Sequence, residues 1–129
     1  MYIIILCVYC VLEALYLYLF RTNYKLNFAN VQSGKEVFYR FFPFGVLCYV
    51  ILLFSLWFFV LKPSKTHHDA FIRATILALV VYGTYNLTNL ATFHKFNLAL
   101  AVQDIVWGVT IFNVIAFLYI WLGKVIKRN

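Results

Sequence analysis

The second apolar run of the chain decides the fold class: residues 44–61 read FGVLCYVILLFSLWFFVL, without a charged residue. A run of roughly 20 apolar residues is long enough to cross the hydrocarbon core of a bilayer as a helix. Lipid offers no partners to backbone polar groups, so a spanning segment satisfies them internally by forming a helix. Pro43 suits the first turn of this helix, and Lys62-Pro63 follows its end.

Three further apolar runs have similar length, and the predicted spans are residues 2–20, 44–61, 70–91 and 98–122. Composition agrees, because 65% of the 129 residues are hydrophobic and 12% are charged, whereas soluble domains average about 25% charged residues. The sequence therefore predicts an all-α polytopic integral membrane protein. We expect a single membrane domain over residues 1–129, built as a bundle of four transmembrane helices, and neither a soluble enzyme nor a disordered tail.

The segments between the runs predict local features. Asp69 precedes the third run and is expected to cap its helix. The positive-inside rule gives the termini a small bias toward the cytoplasm, because their face carries six loop cations against five. The six are Lys62, Lys65, Arg73, Lys124, Lys127 and Arg128, and the five are Arg21, Lys25, Lys35, Arg40 and Lys95.

The net charge of +7 indicates a membrane partner, because the basic residues flank apolar runs where lipid headgroups lie. We therefore expect the lipid bilayer as partner, with membrane-protein partners or self-association as a further option, and no nucleic acid. Cys7, Cys10 and Cys48 all lie inside apolar runs. The Cys7–Cys10 spacing also occurs in redox and metal motifs, but no histidine is near, so we interpret these cysteines as small packing residues.

Polar side chains inside the predicted spans form the strongest functional signal. A charged residue at the centre of a span costs about 2.5–3.5 kcal/mol on insertion scales, so each needs a local partner. With a rise of about 1.5 Å per residue, the polar residues of three spans fall at similar depths beneath one membrane face. They are Glu13, Asn86, Asn89, Gln103 and Asp104.

Helical spacing places these polar residues on stripes shared with aromatic residues. The three stripes are expected to face one another and to enclose a small polar pocket that opens toward the first and third loops. The predicted pocket residues are Glu13, Tyr85, Asn86, Asn89, Gln103, Asp104 and Trp107. Gly108 allows close approach of a neighbouring helix, and Ala70, Ala74 and Ala78 predict a helix-packing seam.

Catalytic motifs are missing from the sequence, which has no phosphate-binding loop, nucleophile elbow or zinc-type Cys/His spacing. We predict no catalytic residue, no metal ligand and no cofactor. The sequence favours a structural or accessory membrane component without catalytic activity. The main alternative is a bundle that binds or transports an ion, a proton or a small ligand in the polar pocket. A lipid-modifying enzyme is a third option, but it lacks a recognisable nucleophile.

Two segments carry a family resemblance. Residues 82–92, YGTYNLTNLAT, resemble the signature Y-G-T-Y-D-L-T-N-L-A-T, and residues 102–108, VQDIVWG, resemble V-x-D-x-x-W-G. Both signatures belong to predicted four-span membrane proteins catalogued as domain of unknown function twenty-one seventy-seven. The resemblance implies a four-helix membrane domain whose signature residues are those of the predicted pocket, and it implies no activity. The family pattern has Asp where this chain has Asn86, so the pocket here is one formal charge less acidic.

Overall fold

The computed structural model describes residues 1–32 and 42–128. Within these two ranges every regular element is a helix, and four helices are long and apolar enough to cross a membrane. The predicted all-α fold with four transmembrane helices is therefore confirmed. Lys35 and Arg40, which entered the predicted charge count, lie outside the described residues.

The helices follow one another with short connections. Helix α1 covers Tyr2–Leu19, and α2 covers Arg21–Val31. Helix α3 covers Phe42–Ser55 and continues as a π-helical segment, Leu56–Leu61. Helix α4, His67–Ala78, leads through π-helical Leu79–Gly83 into α5, Thr84–Thr92. Helix α6 covers Leu98–Arg128. The four apolar spans are α1, α3 with its π segment, α4 through α5, and α6.

Helix α6 lies at the centre of the bundle, where it packs against α1, α4, α5 and both π-helical segments. Helix α1 turns one stripe toward it, because Ile5, Tyr9, Glu13 and Tyr16 are buried at spacings of three or four residues. Residues on the opposite side of α1, such as Val11 and Leu15, are exposed at the outside of the bundle. An apolar outer surface is what a helix surrounded by lipid requires.

The half of the bundle nearest the α3–α4 turn is closely packed. Ala70, Ala74 and Ala78 are all buried on α4, which packs along α6. Small residues at this spacing let two helix backbones approach closely. The larger side chains that fill the core around this seam and toward its middle are Leu56, Val60, Leu61, Ile111, Phe112 and Ile115.

The first part of α3 lies at the outside of the bundle. Residues 43–51 are all exposed, whereas Leu56, Val60 and Leu61 in the following π-helical segment are fully buried. The helix is therefore held to the bundle by its C-terminal end. This arrangement leaves space between the first turns of α3 and the other helices.

The start of α4 corrects one prediction. The capping residue is Thr66, whose backbone is extended and whose Oγ1 accepts the backbone N–H of Asp69 at 3.1 Å. Asp69, which was expected to be the cap, lies instead in the first turn of the helix. There its negative charge is favourable near the helix N-terminus, and it accepts a hydrogen bond from Arg73 Nε at 2.7 Å. The helix begins earlier because the two histidines also adopt helical backbone.

The interpretation of the cysteines as packing residues is wrong. Cys7, Cys10 and Cys48 are all free and exposed. Successive residues of a helix are rotated by about 100°, from 3.6 residues per turn, so Cys7 and Cys10 fall outside the narrow stripe that α1 buries. They face the outer surface of the bundle.

Gly108 is the point at which α6 and the π-helical segment Leu79–Gly83 come together most closely. A Cβ atom added to Gly108 would overlap the ring of Tyr82. That ring is packed at its edge against Phe112, and its hydroxyl group lies 3.0 Å from the hydroxyl of Tyr9. Glycine at this position therefore lets α6, α1 and the π-helical segment meet.

We expect Gly108→Ala to destabilise the protein by about 1–3 kcal/mol, the usual range for overpacking a filled site. The added methyl group displaces the Tyr82 ring and breaks its contact with Tyr9. Gly123→Ala is a matched control on the same helix, because nothing lies near its Cβ position, and it should stabilise the helix by up to about 1 kcal/mol. Thermal unfolding in detergent measures both. Equal melting temperatures of the two variants would contradict this account.

Candidate functional site

Asp104 on α6 is the centre of a polar cluster that joins three helices. Tyr24 on α2 donates its hydroxyl to Asp104 Oδ1 at 2.5 Å. Asn86 on α5 donates its Nδ2 to Asp104 Oδ2 at 2.6 Å and to the Tyr82 carbonyl at 2.9 Å. Asp104 is 9% exposed and Asn86 is 2% exposed, so both oxygens of a buried carboxylate receive a donor.

A series of hydrogen bonds leads from Gln103 through Tyr16 and Tyr24 to Asp104, and each group donates to the next. A tyrosine hydroxyl has one proton to donate, and Tyr24 gives its proton to Asp104. The 3.1 Å contact between the Tyr16 and Tyr24 hydroxyls is therefore donated by Tyr16, which in turn accepts from Gln103 Nε2 at 3.2 Å. Burial, followed by the hydrogen bond to Asp104, raises the pKa of the Tyr24 hydroxyl above its usual range. Tyr24 therefore remains a donor at neutral pH.

Glu13 on α1 is held separately, by Trp107. The indole Nε1 donates to Glu13 Oε2 at 2.8 Å. The Trp107 ring is stacked on the ring of Tyr16, with centroids 4.4 Å apart and planes inclined by 5°. Stacking fixes the indole, so the donor is already oriented toward the carboxylate. Glu13 is 6% exposed.

Both acids line one cavity of about 580 Å³. This size falls in the usual range for small-molecule pockets, which are mostly apolar with a few polar groups. Its walls come from all four spans and from α2, and the side chains other than the two acids are mostly apolar or aromatic. They are Leu17, Arg21, Tyr24, Lys25, Phe28, Cys48, Tyr49, Leu52, Val81, Tyr82 and Tyr85.

The charges of this cavity are not paired as salt bridges. Within residues 1–32 and 42–128, the ion pair that forms is Arg73–Asp69, on the other side of the bundle. Glu13 and Asp104 accept hydrogen bonds from neutral tyrosine, asparagine and tryptophan side chains. Among the described residues, each of the two buried carboxylates thus has hydrogen-bond donors but no cation in contact. Such an arrangement can receive a proton or a cationic group.

The structure places the predicted pocket residues in two groups. Glu13, Asn86, Gln103, Asp104 and Trp107 lie in the cluster of hydrogen bonds and stacked rings described above. Tyr85 lines the cavity but is 49% exposed. Asn89, one turn further along α5, neighbours Tyr85 and is not among the described residues that line the cavity. The functional role of all seven residues stays a prediction.

Tyr24 is one of the site residues that the sequence reasoning missed, because it follows the end of the first span. A signal was present: Tyr16, Phe20 and Tyr24 repeat an aromatic residue at every fourth position. Helix α1 ends before Phe20 and α2 begins after it, yet the aromatic side chains on the two helices remain in contact across this interruption. As for metals, the described residues hold no cluster of three or more His, Cys, Asp or Glu side chains.

We expect Tyr24→Phe to destabilise the protein by about 1.5–3 kcal/mol, the usual contribution of a hydrogen bond to a charged group. The variant leaves Asp104 Oδ1 without its donor and loosens α2 from α6. Tyr18→Phe is the matched control, because the exposed Tyr18 ring faces outward beneath Arg21. Thermal unfolding in detergent compares the two. Loss of stability in Tyr18→Phe to the same extent would show that this hydrogen bond contributes nothing specific.

Comparison with known proteins gives one match. The chain matches no curated protein and no solved structure. The model of a family described as "Predicted membrane protein (DUF2177)" matches residues 1–125, a range that contains all of the residues of the cluster and the cavity. Since the match covers nearly the whole chain and the fold is a bundle of four apolar helices, the chain belongs to the DUF2177 family of predicted membrane proteins.

Proposed function

We propose that this protein binds a ligand with a cationic group in the cavity lined by Glu13 and Asp104. One observation carries the proposal: two carboxylates, each more than nine-tenths buried, line the same open cavity, and neutral donors hold them both. A closed polar contact would suit a purely structural component. An open cavity beside two acids that form no ion pair with any described residue favours binding.

The aromatic residues of the cavity support this assignment. Tyr49, Tyr82 and Tyr85 line it together with Phe28. A cation over an aromatic face gains about 0.5–2 kcal/mol, with the larger values in desolvated sites. Carboxylates in a cavity lined by aromatic residues therefore suit an ammonium group better than a neutral or anionic one.

The packing of the rest of the bundle favours binding over conduction. Below the cavity, the hydroxyl groups of Tyr9 and Tyr82 meet, and the ring of Phe112 packs against both tyrosines. Beyond them lies the filled core around the α4–α6 seam. The cavity thus ends within the membrane. If the termini face the cytoplasm, as the loop charges predict, the cavity opens near the opposite membrane face.

Alkylammonium binding tests the proposal through Cys48, which lines the cavity and is exposed. A variant that keeps Cys48 and has Cys7→Ala and Cys10→Ala reports on the cavity, and a variant that keeps Cys7 reports on the outer surface of α1. Dodecyltrimethylammonium in maltoside micelles should slow maleimide labelling of Cys48 at least about tenfold at 10 times the Kd, since about nine-tenths of the sites are then occupied. Labelling of Cys7 should not change.

The role of the acids is tested by adding Glu13→Gln and Asp104→Asn to the variant that keeps Cys48. These substitutions should abolish the protection of Cys48 by dodecyltrimethylammonium. Asp69→Asn is the matched control, because this acid lies outside the cavity, and it should leave protection intact. Protection that persists without either acid, or no protection in the wild type, would overturn the proposal and leave a structural role. If an amide variant does not fold, the ligand dependence of Cys48 labelling in the wild-type cavity still decides the matter.

Asn86→Asp offers a second test, since it adds a carboxylate to the cluster and removes the donor to Asp104. We expect the unliganded protein to lose about 1–3 kcal/mol of stability. Affinity for the alkylammonium should rise about tenfold, or about 1.4 kcal/mol, less than the about 4 kcal/mol of a close pair near a protein surface. Asn113→Asp adds the same charge beside Thr75 and should leave the affinity unchanged. Thermal shift titrations measure both, and equal affinities would contradict the proposed position of the cation.

A further inference from the structure

Two cations share the cavity with the two acids. Arg21 and Lys25 lie one turn apart on α2, and both are exposed residues that line the cavity. Helix α2 lies outside the four apolar spans, so these cations are at the end of the cavity nearest the headgroup region. Glu13 and Asp104 lie on the membrane-spanning helices. The cavity therefore carries positive charge at its outer end and negative charge deeper in the bundle.

The guanidinium group of Arg21 is turned back along α1. Its Nη1 donates to the Tyr18 carbonyl at 3.2 Å, and the group lies over the Tyr18 ring, 4.2 Å from the centroid. Within the described ranges, the contacts of Arg21 are thus with a carbonyl and a ring, not with an acid. Several donors of the guanidinium stay available, in the fork geometry that matches phosphate oxygens.

The cavity is also open toward the membrane. Cys48, Tyr49 and Leu52 of α3 form one wall, and the first part of α3 is exposed at the outside of the bundle. Leu17 and Val81 add apolar side chains to the lining. A ligand with an apolar chain can therefore enter between α3 and the other helices while its polar part reaches the charged groups.

From this charge pattern we infer that the ligand is a zwitterionic lipid headgroup, with its phosphate at Arg21 and Lys25 and its ammonium group at Glu13 and Asp104. The inference rests on the proposed function and adds the anionic half of the ligand. Among the described residues, two positive and two negative side chains line the cavity and balance in charge, so a ligand carrying both charges complements this lining better than one carrying a single charge. The apolar walls receive the first part of the lipid chain.

Three amphiphiles with the same chain test the inference: dodecylphosphocholine, dodecyltrimethylammonium and dodecyl phosphate, each at low mole fraction in maltoside micelles. Protection of Cys48 from maleimide gives the affinity of each. We expect dodecylphosphocholine to bind at least about tenfold more tightly than the ammonium, the equivalent of about 1.4 kcal/mol for the added phosphate contact. Dodecyl phosphate should bind more weakly than either. Glycerophosphocholine, a soluble headgroup without the chain, should give no protection at equal concentration.

Substitutions then separate the two halves of the site. Arg21→Gln with Lys25→Gln should remove the advantage of dodecylphosphocholine over the ammonium, whereas ammonium binding should not weaken, because two like charges are removed from the cavity. Lys95→Gln is the matched control, since Lys95 is exposed on the α5–α6 connection and does not line the cavity. Both cation variants lie at exposed positions, so neither is expected to prevent folding.

The possible results distinguish this inference from the proposed function. If the ammonium protects Cys48 as well as dodecylphosphocholine does, the inference fails while cation binding stands. If dodecyl phosphate binds most tightly, the cavity is an anion site and both proposals fail. Equal protection by glycerophosphocholine would assign the site to a soluble zwitterion and contradict the inference that the ligand is a lipid. A phosphocholine advantage that survives Arg21→Gln with Lys25→Gln would also overturn it.

Discussion

The half of the bundle that contains the cavity depends on the hydrogen bonds of Asp104. A carboxylate within a span costs about 2.5–3.5 kcal/mol on insertion scales, and a buried acceptor left without a donor costs about 1–3 kcal/mol, with larger values for charged groups. Tyr24 and Asn86 meet that requirement from α2 and α5. The same bonds hold α2, which is too polar to be retained by lipid, against α6. The hydrogen bonds that satisfy the buried Asp104 carboxylate thus also fix the position of α2.

Aromatic side chains perform two tasks in this protein. Tyr16, Tyr24 and Trp107 supply packing area through ring contacts, and the polar groups of Tyr24 and Trp107 donate to the two acids. Because these donors are neutral, they stabilise the carboxylates without cancelling their charge. A lysine or arginine in the same positions would have neutralised the negative charge of the carboxylates. The choice of donor is therefore what leaves the two carboxylates their negative charge, on which the proposed binding of a cation depends.

The two halves of the bundle differ in packing for a simple reason. Small residues on α4 allow close contact with α6, and the surrounding aliphatic side chains fill the remaining space. Near the other membrane face, α3 lies outside the bundle, and bulky tyrosines stand where its packing would otherwise be. One half is thus closely packed, and the other encloses a cavity bounded by α2.

The apolar runs by themselves determined the four helices, because lipid leaves a spanning segment no other way to satisfy its backbone. Helical spacing also placed Glu13, Asn86 and Asp104 on inward stripes, since three and four residues make nearly one turn. Only the tertiary structure decided that Tyr24 reaches Asp104, because the two residues lie 80 positions apart and Tyr24 follows the end of the first apolar run. It also decided the cavity, because the outward position of α3 depends on packing between residues far apart in the chain. The failed expectations for Cys7 and Asp69 have the same cause: a pattern shows that a helix exists, but contacts decide where it begins and which side is covered.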